Sequence, residues 1–377
     1  MRGGFFIITL LLYLCGNVYV FVRLWQAFPW RGPVAKAIFS GAAFLLASTF
    51  LAAFRLRGIL PEWLMGGLYG TGSNWLIIFL YLLMLLLLRD LVVLADRFFR
   101  FLPPAVGQVA VKPFLTYAAV GVTAVLLICG NIHYFRKERV ELNITTEKPL
   151  PPGGLKIVFL SDLHLGYATG NREIEHWVEL ANREQPDLIL IAGDIVDNNT
   201  RPLTAHRMDR TLRQLHAPEG VYACPGNHEH IGGKRNSEQF IRSAGICLLV
   251  DSVATPGAFL NIVGRNDRSA RRRKNLEELT DSLDTEKFTV LLDHQPYDLA
   301  ETARYPVDLQ LSGHTHRGQI WPFTRVTDRL FEVSHGYARK GNTDFYITSG
   351  IGIWGGKFRI GSRSEYVVIN LTHSAHL

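Results

Sequence analysis

The amino-terminal third of the chain contains four long runs without a charged residue, and these runs constrain the fold more than any other feature. They cover residues 5–22, 37–54, 64–88 and 114–132. An α-helix rises about 1.5 Å per residue, so roughly 20 apolar residues cross the ~30 Å of hydrocarbon in a bilayer. The runs therefore predict a four-helix transmembrane module over residues 1–135, with spans at about residues 5–25, 36–54, 66–88 and 113–132.

The polar residues of this module favour an anchor over a transporter. The spans contain no paired carboxylates or buried basic residues that would line a substrate path. We expect Asn17, Thr49 and Thr123 to hydrogen-bond between helices, and tryptophans near the ends of the runs, such as Trp75, to lie in the membrane interface. The first run could also be a cleaved signal peptide, but it is long for one and has no clear small-x-small cleavage site.

The segment 89–104, between the third and fourth runs, has a different pattern. Its apolar residues recur at helical spacing, with Arg97 and Arg100 among them. This pattern predicts a separate helix lying in the membrane interface and ended by Pro103 and Pro104.

Charge is distributed unevenly along the chain. Residues 1–140 carry 13 Lys and Arg against 4 Asp and Glu, whereas residues 141–377 carry 27 against 29. A nucleic-acid-binding protein would carry its basic surface on the globular part, so no nucleic-acid partner is predicted. Basic residues flank both predicted membrane faces in nearly equal number. Because RKER (136–139) directly follows the last span, we expect a multi-pass cell membrane protein whose globular domain is cytoplasmic.

Composition changes abruptly after the last span, where a globular domain begins. The pattern predicts a linker and a first strand over residues 136–154. Residues 155–377 are predicted to form a domain large enough for one substantial core. Strand-like and helix-like segments alternate from residue 155, which predicts an α/β fold with parallel strands. Five later segments, the last of them SEYVVIN (364–370), are expected to form the second half of the domain.

Polar side chains follow five of the predicted strands at the point where each strand ends. Ligands of open α/β sheets collect beyond the carboxyl ends of the strands, so these side chains are expected to converge. Taken singly, each is more often a structural residue or a helix cap than a ligand. The residues concerned are Asp162, His164, Asp194, Asn227, His228, His294, His314 and His316.

Taken in order, the motifs SDLHLG, GDIVD, GNHE, DHQP and GHTHRGQ resemble those of the calcineurin-like metallophosphoesterases over roughly residues 138–370. Four spans followed by this domain are similar to the transmembrane metallophosphoesterase group. The resemblance implies a four-layer α/β/β/α sandwich behind the four-helix module.

Two divalent metal ions are implied by the same resemblance. The first would be held by Asp162, His164, Asp194 and His316, and the second by Asp194, Asn227, His294 and His314. Asp194 would then bridge the two ions, and the two histidines of GHTH would reach different ions, with Gly313 allowing close backbone approach. Nitrogen and oxygen ligands without thiolate suit manganese, iron or zinc.

The implied reaction is hydrolysis of a phosphoester or phosphoanhydride. Two neighbouring cations favour in-line displacement at phosphorus. His228 is expected to act as the catalytic residue that protonates the leaving oxygen or stabilises the charge developing on it. A membrane anchor suggests an amphiphilic phosphorylated substrate and contact with membrane lipids. One alternative is a UDP-diacylglucosamine-type pyrophosphatase of lipid A synthesis, and another is a catalytically silent binding module on the same fold.

Several further residues have two open interpretations. Asp197 and Glu229 are expected to orient the ligands, with helix capping or solvation as the alternative. His230 is expected at the surface. Arg317 could contact the substrate phosphate or point to water. The basic loop 268–274 could contact anionic lipid or an acidic substrate, or remain a solvated flexible loop.

Overall fold

The computed structural model describes residues 2–30, 32–56, 58–101 and 108–374. The chain folds as two compact units, Met1–Gly130 and Asn131–Leu377. The first unit is built from long helices, and the last of these continues into the second unit. They are α1 (Arg2–Ala27), α2 (Gly32–Arg55), α3 (Glu62–Phe99) and α4 (Gln108–Phe135).

All four helices are long and apolar enough to cross a membrane, over Ile7–Ala27, Gly32–Arg55, Glu62–Phe99 and Val111–Phe135. Four apolar helices ahead of the globular domain are therefore confirmed. The prediction of a separate interfacial helix from residue 89 is wrong, because α3 continues without a break to Phe99. No proline or glycine interrupts residues 89–99, so nothing ends the helix there. Pro103 and Pro104 lie outside the described residues.

Polar side chains in the first unit behave in two ways. The indole of Trp75 in α3 donates a hydrogen bond of 3.0 Å to the amide oxygen of Asn17 in α1, which confirms the interhelical role of Asn17. Thr49 and Thr123 instead donate to carbonyls one turn earlier in their own helices, so their predicted interhelical role is wrong. A threonine hydroxyl reaches that carbonyl without leaving its helix. Trp75 is only 4% exposed, so it packs inside the unit.

The second unit contains two six-stranded sheets. The strand order is β1-β12-β2-β3-β4-β5 in the first sheet and β10-β11-β9-β8-β7-β6 in the second. The strands are β1 (Lys137–Thr146), β2 (Leu155–Leu160), β3 (Leu188–Ala192), β4 (Val221–Cys224), β5 (Cys247–Leu248), β6 (Ser252–Ala254), β7 (Leu260–Gly264), β8 (Phe288–Leu292), β9 (Leu309–Ser312), β10 (Gly336–Lys340), β11 (Thr343–Ile347) and β12 (Ser364–His373).

Most neighbouring strands are parallel, as the alternation of strand and helix predicts. The exceptions are the antiparallel pairs β2–β12, β6–β7 and β10–β11. The segment SEYVVIN forms β12, which lies in the first sheet between β1 and β2, with Val367 opposite Phe159. Its predicted place in the second half is wrong, because a strand pairs where its two faces find partners and not by its order in the chain.

The two sheets face each other and carry helices on their outer faces. Alternate residues of β2 show the arrangement: Ile157 and Phe159 belong to the core between the sheets, whereas Val158 and Leu160 pack in the outer core with α5. Strands buried on both faces are expected of mainly parallel sheets. The four-layer α/β/β/α fold is therefore confirmed. The helices are α5 (Asn171–Arg183), α6 (Arg201–Ala205), α7 (Met208–Leu212), α8 (Asn227–Ile231), α9 (Lys234–Ser243), α10 (Leu276–Thr280), α11 (Leu299–Thr302) and α12 (Phe323–Leu330).

Only one residue, Arg136, separates α4 from β1. Tyr134, in the last turn of α4, is fully buried, and its hydroxyl donates to Glu173 of α5. The amide of Asn131 donates a hydrogen bond of 2.9 Å to the carbonyl of Lys357. The end of the last apolar helix is thus packed into the globular unit and is not joined to it by a free linker.

Candidate functional site

The predicted site residues lie immediately beyond strand ends in both sheets. Asp162 and His164 follow β2, Asp194 follows β3, and His294 and His314 follow β8 and β9. Asn227 and His228 begin α8, three residues beyond the end of β4. Each of these short connections must turn sharply, which brings side chains from five strands towards one place.

The backbone at these turns is strained. Among the described residues, twelve non-glycine residues have a left-handed φ, and five of them are predicted metal ligands: Asp162, His164, Asp194, His314 and His316. A left-handed backbone costs a non-glycine residue about 1–2 kcal/mol, and such strain concentrates at functional sites. The surrounding fold therefore holds these five side chains in positions that the local sequence disfavours.

A first group combines Asp162, His164 and His316 within 4.8 Å of one another. The Nε2 atoms of the two histidines are 3.0 Å apart, and Asp162 Oδ1 is 3.5 Å from His316 Nε2. Two nitrogens at right angles around one cation, each at about 2.1 Å, would be about 3.0 Å apart. The spacing of the two imidazoles is therefore that of ligands sharing one ion.

A second group combines Asp194, His294 and His314. Asp194 Oδ2 lies 3.1 Å from His294 Nε2, and His294 Nδ1 bonds the carbonyl of Ala192 at 2.7 Å, which orients the ring. Burial, with the charge of His294, lowers the pKa of His314 to about 4. His314 is therefore neutral at pH 7, and neutral imidazole is the form that binds a metal.

Asp194 lies between the two groups. Its Oδ2 atom is also 3.7 Å from His164 Nε2, and a third group combines Asp194 with His164 and His228. Burial would raise the pKa of Asp194, but the adjacent His294 imidazole holds it well below the ordinary range. One ionised carboxylate thus reaches both sets of histidines, as a bridging ligand must.

The donor set fits divalent metal ions. It offers imidazole nitrogens and carboxylate oxygens without thiolate, a combination that manganese, iron and zinc accept. The amide oxygen of Asn227 is buried and has no hydrogen-bond partner among the described residues. Buried polar atoms are usually paired, so this oxygen has the free lone pairs that a ligand needs.

Comparison with known proteins places this geometry in a family. The model of the calcineurin-like phosphoesterases matches residues 155–318. An uncharacterised metallophosphoesterase of Aquifex aeolicus is 34% identical over 247 residues, which cover 63% of this chain and 92% of that protein. The chain belongs to the calcineurin-like metallophosphoesterases.

Other relatives of this metallophosphoesterase show how far the similarity extends. A transmembrane protein with metallophosphoesterase domain from Danio rerio is 29% identical over 345 residues, which cover 87% of this chain and 78% of the relative. An uncharacterised metallophosphoesterase of Helicobacter pylori (strain J99 / ATCC 700824) is 32% identical over 223 residues, 58% of this chain. The chain matches 60% of the length of that Helicobacter relative.

His228, the predicted catalytic residue, is held by Asp197. Its Nδ1 bonds the Asp197 carbonyl at 2.7 Å and lies 3.3 Å from Asp197 Oδ1. Burial alone would lower the pKa of His228, but the hydrogen bonds and charge of Asp197, with the charge of Asp194, raise it to about 9. The bond at Nδ1 leaves Nε2 to carry a proton towards a reacting group. Asp197 is also 3.7 Å from His164 Nδ1, so it touches two predicted site residues.

Glu229 is fully buried and holds two of the strand-end loops together. Its carboxylate accepts hydrogen bonds from the backbone N–H groups of Asp194, Val196 and Gly226, at 3.1, 2.9 and 2.6 Å. Solvation is thus excluded for Glu229. Its carboxylate holds the backbone of the loop that carries Asp194, and it also caps α8 through the N–H of Gly226. His230 lies outside the three groups and is 3.3 Å from Asn266.

Arg359 is a site residue that sequence reasoning missed. It is fully buried, and its guanidinium donates to the carbonyls of His316, Ser349 and Gly352 at 3.0, 2.7 and 2.7 Å. It therefore ties the GHTHRGQ loop to the loop after β11. No local signal marks it, because it lies 43 residues beyond His316 and its partners are backbone atoms.

The basic loop 268–274 is partly neutralised within the protein. Arg268 forms an ion pair with Asp298, and Arg273 forms one with Asp293, the neighbour of His294. Arg273 is the one cation of the loop that is not exposed, because buried Asp293 needs its charge beside it. Its exposed cations are Arg268, Arg271, Arg272 and Lys274.

Proposed function

We propose that this protein is a membrane-anchored phosphohydrolase that uses two divalent metal ions to hydrolyse a phosphoester or phosphoanhydride. The observation that carries the proposal is the position of Asp194 Oδ2, 3.1 Å from His294 and 3.7 Å from His164, which lets one carboxylate serve two ions. When bound, such ions supply Lewis-acid stabilisation of phosphoryl oxygens and lower the pKa of water.

The protein's own residues would orient the substrate and move the proton. Asp162, Asp194 and Asn227 would contribute oxygen ligands to the metal ions. His228 stands next to Asn227, and its Nδ1 is fixed by Asp197. Its Nε2 would donate a proton to the departing oxygen, or stabilise the charge that develops on it.

Substitution of Asp194 tests the activity directly. Asp194→Asn and His228→Ala, in full-length protein in phosphatidylcholine vesicles with manganese, should each lower the hydrolysis of bis(p-nitrophenyl) phosphate by about two orders of magnitude or more. The exposed Asp281→Asn is the matched control and should retain the wild-type rate. Unchanged activity in Asp194→Asn and His228→Ala would identify a silent binding module on this fold.

We further propose that the substrate is an amphiphilic phosphate in the same bilayer. Only Arg136 separates α4 from β1, and Tyr134 anchors the end of the apolar helix in the globular unit, so no flexible linker separates the two. Confinement to one membrane raises the effective concentration of a lipid substrate. A lipid phosphate should therefore be hydrolysed at least tenfold faster in the enzyme's own vesicles than in separate vesicles, whereas a water-soluble ester should show no difference. If the lipid is hydrolysed at the same rate in the enzyme's own vesicles and in separate vesicles, the anchor only localises the protein and this proposal is wrong.

We propose the cytoplasmic face for the domain, and a native thiol can report on it. Cys247 is exposed in the globular unit, whereas Cys224 is buried, and Cys15 and Cys129 lie in apolar helices. A membrane-impermeant maleimide should leave Cys247 unlabelled in intact cells and label it after permeabilisation. The Cys247→Ser variant gives the background, and labelling of Cys247 in intact cells would reverse the assignment.

A further inference from the structure

A basic cavity of about 210 Å³ lies beside the loop that carries His314 and His316. Its walls come from the end of α4, the start of β1, the residue after His316 and the segment before β12. The lining residues are His133, Arg136, Glu138, Arg317, Gly361, Ser362 and Arg363. All of them belong to the unit Asn131–Leu377.

The charges around this cavity do not balance. Three guanidinium groups and one imidazole face a single carboxylate, Glu138, which forms an ion pair with Arg363. Within residues 108–374, neither Arg136 nor Arg317 has a side-chain partner. Two unpaired guanidinium groups at one small cavity create a positive potential that favours an anion.

Arg317 is placed in this cavity by a constrained backbone. It has a left-handed φ of 48°, and its N–H donates a hydrogen bond of 3.1 Å to the hydroxyl of Thr315. Thr315 itself donates to the carbonyl of Ser334 at 2.6 Å. Arg317 directly follows His316, and consecutive Cα atoms are about 3.8 Å apart. The cavity therefore borders the loop that carries two of the predicted metal ligands.

We infer that this cavity binds a second phosphate group of the substrate, while the scissile phosphoryl group lies at the metal ligands. The inference rests on the proposed phosphohydrolase function and specifies its substrate as one with two phosphates. Guanidinium groups bind phosphate oxygens through paired charge-assisted hydrogen bonds. His133 lies in the apolar span Val111–Phe135, so the phosphate of a lipid headgroup is the other source of the same chemistry.

The test compares two ligands that differ by one phosphate. Calorimetry on full-length protein in phosphatidylcholine nanodiscs with manganese would give dissociation constants for thymidine 5′-phosphate and thymidine 3′,5′-bisphosphate. The wild type should bind the bisphosphate about tenfold more tightly, the effect of about one charge-assisted hydrogen-bonded contact. Arg136→Gln and Arg317→Gln should each reduce that ratio to about twofold or less. Arg210→Gln removes an exposed arginine from α7 and should leave the ratio unchanged.

Each alternative has its own outcome. A wild-type ratio near one, or a ratio that neither variant changes, would overturn the inference. In nanodiscs that contain phosphatidate, the wild type should still bind the bisphosphate about tenfold more tightly than the monophosphate. If phosphatidate abolishes this preference, the cavity binds a lipid headgroup instead. Arg136 and Arg317 lie on different segments, so misfolding of one variant leaves the other to decide.

Hydrolysis of thymidine 5′-(p-nitrophenyl phosphate) by the same wild-type sample tests the proposed function separately. If no nitrophenol is released but the binding ratio responds to Arg136→Gln and Arg317→Gln, the hydrolase proposal fails and the cavity assignment stands. If nitrophenol is released but the binding ratio is one, the hydrolase proposal stands and the cavity assignment fails.

Discussion

The buried guanidinium of Arg359 donates a hydrogen bond of 3.0 Å to the backbone carbonyl of His316, a predicted metal ligand. The same side chain bonds carbonyls of the loop after β11, so one residue fixes two loops at the site. Within residues 108–374, its hydrogen-bond acceptors are all carbonyl oxygens, so it stabilises one loop geometry. Its loss leaves those carbonyls buried and unpaired.

Replacement of Arg359 should therefore weaken both stability and metal binding. We expect Arg359→Gln to destabilise the globular unit by about 3 kcal/mol, a fall of roughly 6–12 °C in the unfolding midpoint, and to lower the manganese content. Arg359→Lys keeps the charge but reaches fewer carbonyls, so its stability and manganese content should lie between those of the wild type and Arg359→Gln. Arg329→Gln, an exposed arginine of α12, is the control. Wild-type stability and manganese content in Arg359→Gln would contradict this role.

Gly313 should not tolerate a side chain. A Cβ at this position would fall inside contact distance of Ser161 Oγ and the Asp162 carboxylate. Gly313→Ala should therefore cost about 1–3 kcal/mol through overpacking and should displace Asp162, which lowers manganese affinity. Gly170→Ala is the matched control because nothing lies within 4 Å of its added Cβ. Thermal unfolding and metal analysis measure both effects. Equal unfolding midpoints and equal manganese content in Gly313→Ala and Gly170→Ala would contradict the close contact of Gly313 with Ser161 and Asp162.

The two histidines of GHTH should be separable by metal content. His316 groups with Asp162 and His164, whereas His314 groups with Asp194 and His294. The wild type should hold about two manganese ions per chain, and His314→Ala and His316→Ala about one each. His230→Ala removes an imidazole outside the groups and should keep both ions. A wild-type content of one ion, lost in both variants, would indicate a single metal site.

Manganese binding should also stabilise the fold. A single site contributes about 2.7 kcal/mol when the free ion is at 100 times its dissociation constant. The unfolding midpoint of the wild type should therefore rise with manganese concentration and fall on chelation, and that rise should be reduced in His314→Ala and His316→Ala. A midpoint that is independent of manganese in the wild type would count against resident ions.

Lys137 should make stability depend on pH. Burial lowers the pKa of this lysine to about 7, with Arg359 and Lys357 acting in the same direction and Glu173 opposing them. The folded chain thus binds this proton less tightly than the unfolded chain, so stability should rise with pH from about 7 towards the ordinary lysine pKa of about 10.4. Below pH 7 both states are protonated and the full penalty applies.

The comparison needs a variant without the titrating group. Lys137→Met should flatten the rise of the unfolding midpoint between pH 7 and 9. Lys274→Met, at an exposed lysine, should leave the rise unchanged. If Lys137→Met retains the wild-type slope, Lys137 is not the source of the pH dependence.

Local sequence determined the elements of this protein and the chemistry of its site. Uncharged runs of 18 residues or more fold as helices because a bilayer-spanning segment must satisfy its own backbone. Strands such as β2 and β3 are visible as short apolar runs followed by Asp, His or Asn. The motif residues that follow them, such as Asp194 and His316, were found because their type and order are themselves the signal.

Tertiary structure alone decided which distant segments meet. The pairing of β12 between β1 and β2, the carbonyl contacts of Arg359 and the cavity shared by Arg136 and Arg317 join residues from far apart in the chain. The end of α3 was also not predictable from the sequence. This helix continues to Phe99, where the charged residues after position 88 suggested a separate interfacial helix. Contacts to backbone carbonyls and the order of strands in a sheet cannot be predicted from the residue types nearby in the sequence. Such contacts arise only when the whole core is packed, because their stability comes from burial that no local segment achieves alone.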